Sequence, residues 1–208
     1  MAASSELVEL EKQAFACTKC VLSRKRTNVV FGVGDGSADL MLVGEGPGQE
    51  EDLQGEPFVG RSGKLLDRLL EEELGIPRSS CYITNVVKCR PPNNRDPLLD
   101  EIECCRPFLQ AQIDIIKPKV IMTLGNFATK TLLGTKTGIT ALRGRVYDFR
   151  QPRGSNTAHT HLAEVSSISL VPTYHPSAAL RAGGGVILAA MRADMIRAKE
   201  QYRNSRDA

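Results

Sequence analysis

Short apolar runs rich in β-branched residues recur along the chain and predict buried strands. Four such runs are Asp39–Gly44, Cys81–Val87, Lys119–Leu124 and Ile168–Thr173. They lack the strict polar–apolar alternation of a half-exposed strand, as expected for a parallel sheet covered on both faces. We therefore predict a short, four-stranded parallel sheet at the centre of the fold.

Apolar residues at helical spacing lie between these runs. Gly63–Leu74 carries five leucines at that spacing and is followed by Gly75, a residue that commonly ends a helix. Further helices are predicted over Pro97–Ile116, Asn126–Leu133 and Val186–Tyr202, with a short amphipathic helix within Met1–Phe15. Alternating strands and helices predict one three-layer α/β/α domain over residues 1–208, with its core at about 17–200.

Polar residues, Gly and Pro concentrate where the predicted strands end. In parallel α/β sheets, ligands bind beyond the carboxyl ends of the strands. The segments there are GEGPGQEED (44–52), TNVVKCRPPNNR (84–95), LGN (124–126) and PTYHPS (172–177). We therefore expect a functional site where these segments meet. The polar stretch Gln151–Ser167 is predicted to be a surface loop.

Composition narrows the class of protein only slightly. The 208 residues include 27 basic and 24 acidic side chains, a net charge of +3 that does not by itself argue for nucleic-acid binding. Basic residues cluster around 24–26, 88–95 and 143–153, which is equally typical of solvated loops. No apolar run spans a membrane, and the acidic N-terminus lacks the core of a secretory signal, so a cytoplasmic, intracellular protein is predicted.

Six cysteines in such a chain indicate metal or redox chemistry rather than disulfides. Cys17 and Cys20 form a C-x2-C pair, and two later cysteines would complete a set of four thiolates, which suits either a [4Fe–4S] cluster or structural zinc. Cys89 is one of these two, and Cys104 competes with Cys105 for the other position. The remaining cysteine, Cys81, lies in a predicted strand, where a free cysteine usually packs as a small buried apolar residue.

Several residues in the strand-end segments have side chains suited to recognising a base. Phe58 in a Gly/Pro loop is either a loop anchor or a stacking face. Asn85 is either a structural amide or a residue that recognises a base. Its side chain has a donor and an acceptor that match O4 and N3–H of uracil, and cytosine reverses part of that donor and acceptor pattern. His175, followed directly by Pro176, is either structural or catalytic. The glycine loop lacks the Gly-Lys-Ser/Thr ending of a nucleoside-triphosphate loop.

The motifs together resemble a known family. GEGPGQEED, GEPFVGRSGKLL (55–66), TNVVKCRPPNNR, LG and PTYHPSAALR follow one another in register with the cysteines, from Cys17 to about Asp194. In this the chain resembles family 4 uracil-DNA glycosylases, the iron–sulfur members of that superfamily. The resemblance implies the superfamily's α/β/α fold and a DNA-repair hydrolase that flips uracil out of DNA. Such an enzyme cleaves the N-glycosidic bond, releasing uracil and leaving an abasic site.

The same resemblance assigns residues to the base pocket. It implies that Glu45, Gly46 and Pro47 line the pocket, with backbone N–H groups facing uracil O2. Phe58 would stack on the base and Asn85 would recognise its Watson–Crick edge. In the same scheme, His175 would donate a hydrogen bond to O2 as the uracil anion leaves.

Contacts to DNA and metal are implied in the same way. In the segment that contains Ser177 and Arg181, Leu180 would wedge into the duplex where the nucleotide was removed. Four cysteines would hold a structural [4Fe–4S] cluster: Cys17, Cys20, Cys89 and Cys105. The expected partner is uracil-containing DNA, bound by a monomer with no membrane association.

The residue that positions the attacking water is left open by the sequence. Glu45 is the first candidate and Glu51 the second, followed by the amides of Asn93 and Asn94. The chain also departs from the best-known uracil glycosylases, which have Asp where Gly46 stands and Tyr where Gly48 stands.

Two alternative functions remain. A related protein that crosslinks to DNA through a histidine carries a His-containing insertion after the second strand, whereas 90–97 is compact and contains no histidine here, which favours turnover. A non-catalytic iron–sulfur DNA-binding module would keep the cysteines and basic loops, but would need neither Asn85 nor His175.

Overall fold

A computed structural model describes residues 4–149 and 167–204. Most of the predicted surface loop Gln151–Ser167 lies outside the described residues. The helices are α1 (Ser5–Phe15), α2 (Gln49–Gln54), α3 (Arg61–Leu69), α4 (Leu99–Ile116), α5 (Asn126–Leu133), α6 (Ile139–Leu142), α7 (Pro176–Ala179) and α8 (Gly185–Asn204). The strands are β1 (Val33–Gly34), β2 (Leu40–Gly44), β3 (Tyr82–Asn85), β4 (Val120–Leu124), β5 (Tyr147–Phe149) and β6 (Ile168–Thr173).

The strands form one sheet in the order β1-β3-β2-β4-β6-β5. The central four, β3, β2, β4 and β6, are parallel, as predicted. Two edge strands that the sequence did not predict, β1 and β5, pair antiparallel with β3 and β6 and extend the sheet to six strands. These edge strands have two and three residues, too few to produce a recognisable apolar run.

Each face of the sheet packs against helices, which produces the predicted three layers. Along β2, Met41 and Val43 face a core shared with α1 and α4, whereas Leu40 and Leu42 face a core shared with α3 and α8. This alternation follows from the two-residue repeat of a strand, and burial on both sides explains why the run contains no polar residue. No helix among the described residues is long and apolar enough to span a membrane.

The helix boundaries differ from the predicted ones by a few residues. α3 begins at Arg61, two residues early, and continues into a π-helical turn over Leu70–Leu74 that ends at the left-handed Gly75. α4 begins at Leu99 rather than Pro97, because the Glu101 carboxylate accepts the Leu98 N–H at 2.8 Å and caps the first turn. Prediction and structure agree fully for α5.

Parallel pairing brings the ends of the central strands to one edge of the sheet. Gly44 at the end of β2 pairs with Asn85 at the end of β3, and Leu124 at the end of β4 pairs with Thr173 at the end of β6. The polar segments that follow these strands therefore meet beyond a single edge.

Candidate active site

A cavity of about 840 Å³ lies beyond this edge, within the size range of small-molecule pockets. Its walls come from the glycine loop after β2, the loop before α3, and the segments after β3, β4 and β6. All six residues predicted to bind substrate line it: Glu45, Gly46, Pro47, Phe58, Asn85 and His175. The structure thus brings together in one cavity side chains that are up to 130 positions apart in the chain.

Asn85 presents an unsatisfied amide to this cavity. Its side chain is 2% exposed, and among the described residues its Oδ1 is the one buried side-chain oxygen or nitrogen without a hydrogen-bond partner. Leaving a buried acceptor unpaired costs about 1–3 kcal/mol, so such atoms are rare in folded proteins. The cost is explained if a ligand supplies the missing donor.

Phe58 forms an apolar wall beside that amide. Its ring is buried and lies 5.7 Å from the His175 ring, centroid to centroid, with the planes tilted by 32°. Its backbone has a left-handed conformation, φ 55°, and its carbonyl accepts a hydrogen bond from Arg78 Nη1 at 2.9 Å. A Cβ on Gly63 would lie 1.7 Å from that carbonyl oxygen, so glycine is required there for the loop to pack on α3.

His175 is held in one tautomer by the residue two positions later. Its Nδ1 accepts the backbone N–H of Ser177 at 3.2 Å and lies 2.8 Å from the Ser177 hydroxyl. Burial lowers the pKa of His175 to about 4, so the ring is neutral near pH 7. A neutral ring that accepts at Nδ1 carries its proton on Nε2, and this nitrogen is a hydrogen-bond donor.

Gly125 gives His175 its position against β4. Its φ is 99°, a value that side-chain-bearing residues rarely adopt, and a Cβ there would lie 3.0 Å from the His175 Cβ. The LG sequence after the third predicted strand therefore has a structural reason: glycine provides both the backbone conformation and the space next to the backbone and Cβ of His175.

Glu51 joins two loops of the cavity. Its Oε2 accepts the Gly48 N–H at 3.1 Å, and its Oε1 accepts the N–H groups of Val59 and Gly60, each at 3.0 Å. Both carboxylate oxygens are thus engaged with backbone. The side chain fixes the glycine loop relative to the loop that carries Phe58.

The other three candidates for positioning water differ in where they lie. Glu45 lines the cavity, and burial, with a smaller effect from Asp96, raises its pKa to about 7. Asn94 also lines it, and its Oδ1 accepts Arg90 Nε at 2.7 Å. Asn93 is absent from the lining. Asn93 and Asn94 both have left-handed backbone conformations, with φ values of 56° and 54° respectively.

Close contacts account for the two glycines that depart from the best-known uracil glycosylases. A Cβ at Gly46 would lie 2.6 Å from Cγ2 of Val87. At Gly48 it would lie 2.8 Å from Oε2 of Glu51, the atom that accepts the Gly48 N–H. Larger side chains at these positions would displace the neighbouring segment or break the link between the two loops.

The segment after β6 reaches from the cavity to the surface. Ser177, Leu180 and Arg181 all line the cavity opening, and the Leu180 side chain is 44% exposed. A large exposed apolar residue beside a cationic one at the mouth of a cavity is suited to contact with a partner rather than to packing in a core.

Comparison with known proteins agrees with this geometry. The family model described as "Uracil DNA glycosylase superfamily" matches residues 31–198. A type-4 uracil-DNA glycosylase of Sulfurisphaera tokodaii is 46% identical over 178 residues, 84% of this chain and 76% of the relative. Those of Thermotoga maritima and Archaeoglobus fulgidus are 46% and 40% identical, over 84% and 83% of their own lengths. The chain belongs to the type-4 uracil-DNA glycosylase family.

All five motifs that carry the sequence resemblance fall within the matched region of the superfamily, whereas Cys17 and Cys20 precede it. The four cysteines implied as ligands in the type-4 family lie on the α1–α4 side of the sheet, where Cys89 and Cys105 are buried and the other two are half-buried. The fifth and sixth differ: Cys81 is buried in the opposite core, and Cys104 Sγ donates to the Lys19 carbonyl at 3.4 Å.

Hydrogen bonds reach two of these sulfurs. Arg26 Nη1 lies 3.2 Å from Cys89 Sγ, and the Lys88 N–H donates to Cys105 Sγ at 3.4 Å. Burial, with smaller effects from Cys89 and Cys20, raises the pKa of Cys105 to about 11, and the Lys88 N–H opposes that rise. Among the described residues, no three His, Cys, Asp or Glu side chains converge as ligands of one metal ion.

Several basic residues that the sequence grouped as loop charges have internal partners. Lys88 is 2% exposed. Arg95 forms a bidentate pair with the buried Glu101 at 2.6 and 2.8 Å, and Arg143 forms one with the buried Asp194 at 2.9 Å. Arg150 and Arg153 lie outside the described residues. The sequence left open whether these clusters are solvated loops; Lys88, Arg95 and Arg143 are instead paired within the fold.

The cavity also includes residues that the sequence did not single out. These are Arg61, Ser62, Asp96, Asn126, Phe127 and Ile139 among others. Arg61 and Ser62 fall inside the GEPFVGRSGKLL motif, so the motif was the available signal, but nothing in their residue types distinguishes them from helix-surface residues.

Proposed function

We propose that this protein flips uracil out of DNA and hydrolyses its N-glycosidic bond, releasing uracil and leaving an abasic site. The observation that carries the proposal is the unpaired, buried Oδ1 of Asn85 in a cavity that also contains Phe58 and His175. A base inside the duplex cannot enter such a cavity, so it must first leave the stack, at a cost of a few kcal/mol.

Recognition follows from the donor and acceptor atoms of the Asn85 amide. Oδ1 would accept N3–H of uracil, and Nδ2 would donate to O4. Cytosine has an acceptor at N3 and donors at N4. The acceptor Oδ1 would then face the acceptor N3, and the donor Nδ2 would face the donor N4, so neither hydrogen bond could form. The Phe58 ring would cover one face of the base, a contact worth about 1–3 kcal/mol for stacking.

Bond cleavage would be assisted where negative charge develops. As the C1′–N1 bond breaks, its electron pair leaves with uracil, and the charge spreads to O2. His175 Nε2–H would donate to O2 as a neutral group, aided by backbone N–H groups of the glycine loop. Preorganised donors of this kind supply much of the rate enhancement in many enzymes, about 10²–10³-fold for one donor.

Water would then add to the cationic C1′, and its proton would pass to solvent. Glu51 has both carboxylate oxygens engaged with three backbone N–H groups, and Asn93 does not line the cavity. We therefore assign water positioning to Glu45, with the Asn94 amide beside it. Glu45→Gln and Asn94→Ala should each slow uracil release more than the substitution of Asn93 by alanine.

DNA would be held at the mouth of the cavity. Leu180, exposed at the opening, would fill the gap left by the extruded nucleotide, and Ser177 and Arg181 would contact the backbone. The proposal extends to one domain over 1–208 that acts as a monomer inside the cell on uracil-containing DNA.

A [4Fe–4S] cluster fits the cysteines on the α1–α4 side. A cluster requires four thiolates near one another, and these sulfurs are close enough to act on each other: besides burial, Cys17 and Cys20 raise the pKa of Cys89, and Cys89 and Cys20 raise that of Cys105. Cys17, Cys20, Cys89 and Cys105 would hold it, with hydrogen bonds from Arg26 and the Lys88 N–H to two sulfurs. The cluster would tie together the segments after α1 and β3 and the helix α4.

The test is an oligonucleotide with one uracil, incubated with the protein and treated with alkali. We expect strand breaks at uracil and none in otherwise identical oligonucleotides that contain thymine or cytosine. The same assay on an oligonucleotide with hypoxanthine measures whether the protein also releases that base. Binding without breaks would favour a non-catalytic iron–sulfur module. A protein–DNA adduct stable to heat and SDS would instead favour the histidine-crosslinking relative.

A further inference from the structure

Lys88 is a buried lysine directly behind the base pocket. It stands between Asn85 at the end of β3 and Cys89. Its Nζ lies 2.6 Å from Thr84 Oγ1, 2.7 Å from the Asn85 carbonyl oxygen and 2.6 Å from Gln112 Oε1. None of these partners is a carboxylate, so the side chain is not one half of an ordinary ion pair.

The surrounding hydrogen bonds show that all three partners accept from Lys88. The Asn85 and Gln112 oxygens have no proton, and the Thr84 hydroxyl donates to the Phe31 carbonyl at 2.8 Å. Only an ammonium group supplies three donors, and distances of 2.6–2.7 Å are typical of charge-assisted bonds. The Gln112 amide nitrogen in turn donates to Phe31 O and Tyr82 Oη, at 2.9 and 3.1 Å.

This fully paired network meets the base pocket at one peptide group. The Asn85 Oδ1 accepts no hydrogen bond in the protein, so no such bond fixes the amide before a base arrives. The carbonyl of the same residue is fixed by Lys88. Because the peptide plane sets the direction of the Cα–Cβ bond, a rigid carbonyl restricts where the amide points.

The backbone of Lys88 is anchored as well. Its N–H donates to Cys105 Sγ at 3.4 Å, and its carbonyl accepts the Val30 N–H at 2.8 Å. The anchor for Asn85 is thus held from both sides of the chain, by α4 and by the segment before β1.

We propose that Lys88 is a positioning residue, which fixes the Asn85 peptide so that the amide is preorganised for uracil and against cytosine. This inference rests on the proposed function and deepens it. Lys88 contacts no substrate in this scheme and acts through Asn85 alone.

The test is a double-mutant cycle of Lys88→Met and Asn85→Ala, which isolates the coupling between the two residues. Single-turnover rates of uracil release are measured, together with dissociation constants for oligonucleotides with 2′-fluoro-deoxyuridine or 2′-fluoro-deoxycytidine, which resist cleavage. We expect Lys88→Met to slow release by about 10–100-fold and to reduce the uracil-to-cytosine binding ratio by a similar factor. In the Asn85→Ala background, the same substitution should change either quantity by less than about threefold.

Equal losses in both backgrounds would overturn the proposal, because Lys88 would then act on the fold as a whole. Lys136→Met is the matched control, at an exposed lysine, and should change nothing. If Lys88→Met does not fold, Thr84→Val removes one partner of the ammonium group, and the same cycle is measured with it. The dissociation constants are measured without bond cleavage. A parent protein that does not cleave would therefore refute the proposed glycosylase activity, and the role of Lys88 in binding could still be tested.

Discussion

Gly44 and Asn85 are paired across β2 and β3, and a Cβ on Gly44 would lie 2.4 Å from Asn85 Oδ1. That Cβ would also lie 2.6 Å from Cζ of Phe58. The missing side chain therefore lets the amide and the aromatic ring meet at the floor of the cavity. Both neighbours are buried and line the cavity, so a side chain at Gly44 would push them into the space that the base would occupy.

Gly44→Ala should consequently damage catalysis more than stability. The methyl group would displace Asn85 and Phe58 together, and overpacking of this kind costs about 1–3 kcal/mol. We expect uracil release to slow by at least about 100-fold, since a displacement near 1 Å has effects of that size. Single-turnover kinetics and thermal unfolding measure the two effects. Gly138→Ala is the control, because its Cβ would enter open space and its φ is −77°.

The tautomer of His175 leads to a prediction about pH. Because its pKa is lowered to about 4, the imidazole stays a neutral Nε2–H donor from pH 5 upwards. The contribution of His175 to the rate should thus be constant between pH 5 and 8 and fall near pH 4. His175→Ala should lower the single-turnover rate by about 10²–10³-fold with the fold intact by circular dichroism. A rise in rate near pH 6.5 that disappears in the variant would contradict a neutral donor.

The sequence predicted those parts of the fold in which a local pattern of apolar and polar residues is enough to identify a strand or a helix. The central strands are apolar on both faces, and parallel pairing then required Gly44 and Asn85 to end at the same edge. The edge strands were missed because β1 and β5 are too short to show a pattern and form only by pairing with β3 and β6.

Residues whose roles depend on distant partners were not predictable in this way. Lys88 stands in a polar, basic segment and resembles a surface lysine, yet Thr84 and Gln112 bury it. Glu51 was a candidate for positioning water. Its actual contacts depend on the loop at Val59 and Gly60, which local sequence does not place beside it.

Glu45 should reduce the stability of the free protein at alkaline pH. Its pKa is raised from 4.5 to about 7, so its contribution to folding is fully present below pH 4.5 and is lost as pH rises through 7. Glu45→Gln should therefore increase the free energy of unfolding at pH 8 by about 1–2 kcal/mol, after allowance for partial solvent exposure. Below pH 4.5 the difference should vanish.

Urea unfolding at pH 4 and pH 8 measures this difference. Glu71→Gln, at an exposed position, controls for the loss of one negative charge and should show no such dependence on pH. A variant less stable than the parent at pH 8 would show that the Glu45 carboxylate is stabilised in the free protein, contrary to its burial.

The last prediction concerns which cysteines hold iron. Cys17, Cys20, Cys89 and Cys105 lie on the α1–α4 side of the sheet, whereas Cys81 is buried on the other side. Cys104 follows Glu103 on the same helix as Cys105, but its thiol donates to the Lys19 carbonyl. Substitution of any one of the four by serine should lower the iron content and the broad visible absorbance of the purified protein.

Cys81→Ser and Cys104→Ser are the matched controls for that series, and both should keep about four irons per chain. Cys104→Ser is the sharper control, since it changes the nearest alternative to Cys105 and leaves the helix unchanged. Loss of iron from Cys104→Ser, with full iron in Cys105→Ser, would exchange the two assignments. Because Cys105 Sγ accepts the Lys88 N–H, that hydrogen bond would then reach a sulfur that does not hold iron. Zinc in place of iron would change the kind of metal site, but would leave the residues of the base pocket as they are.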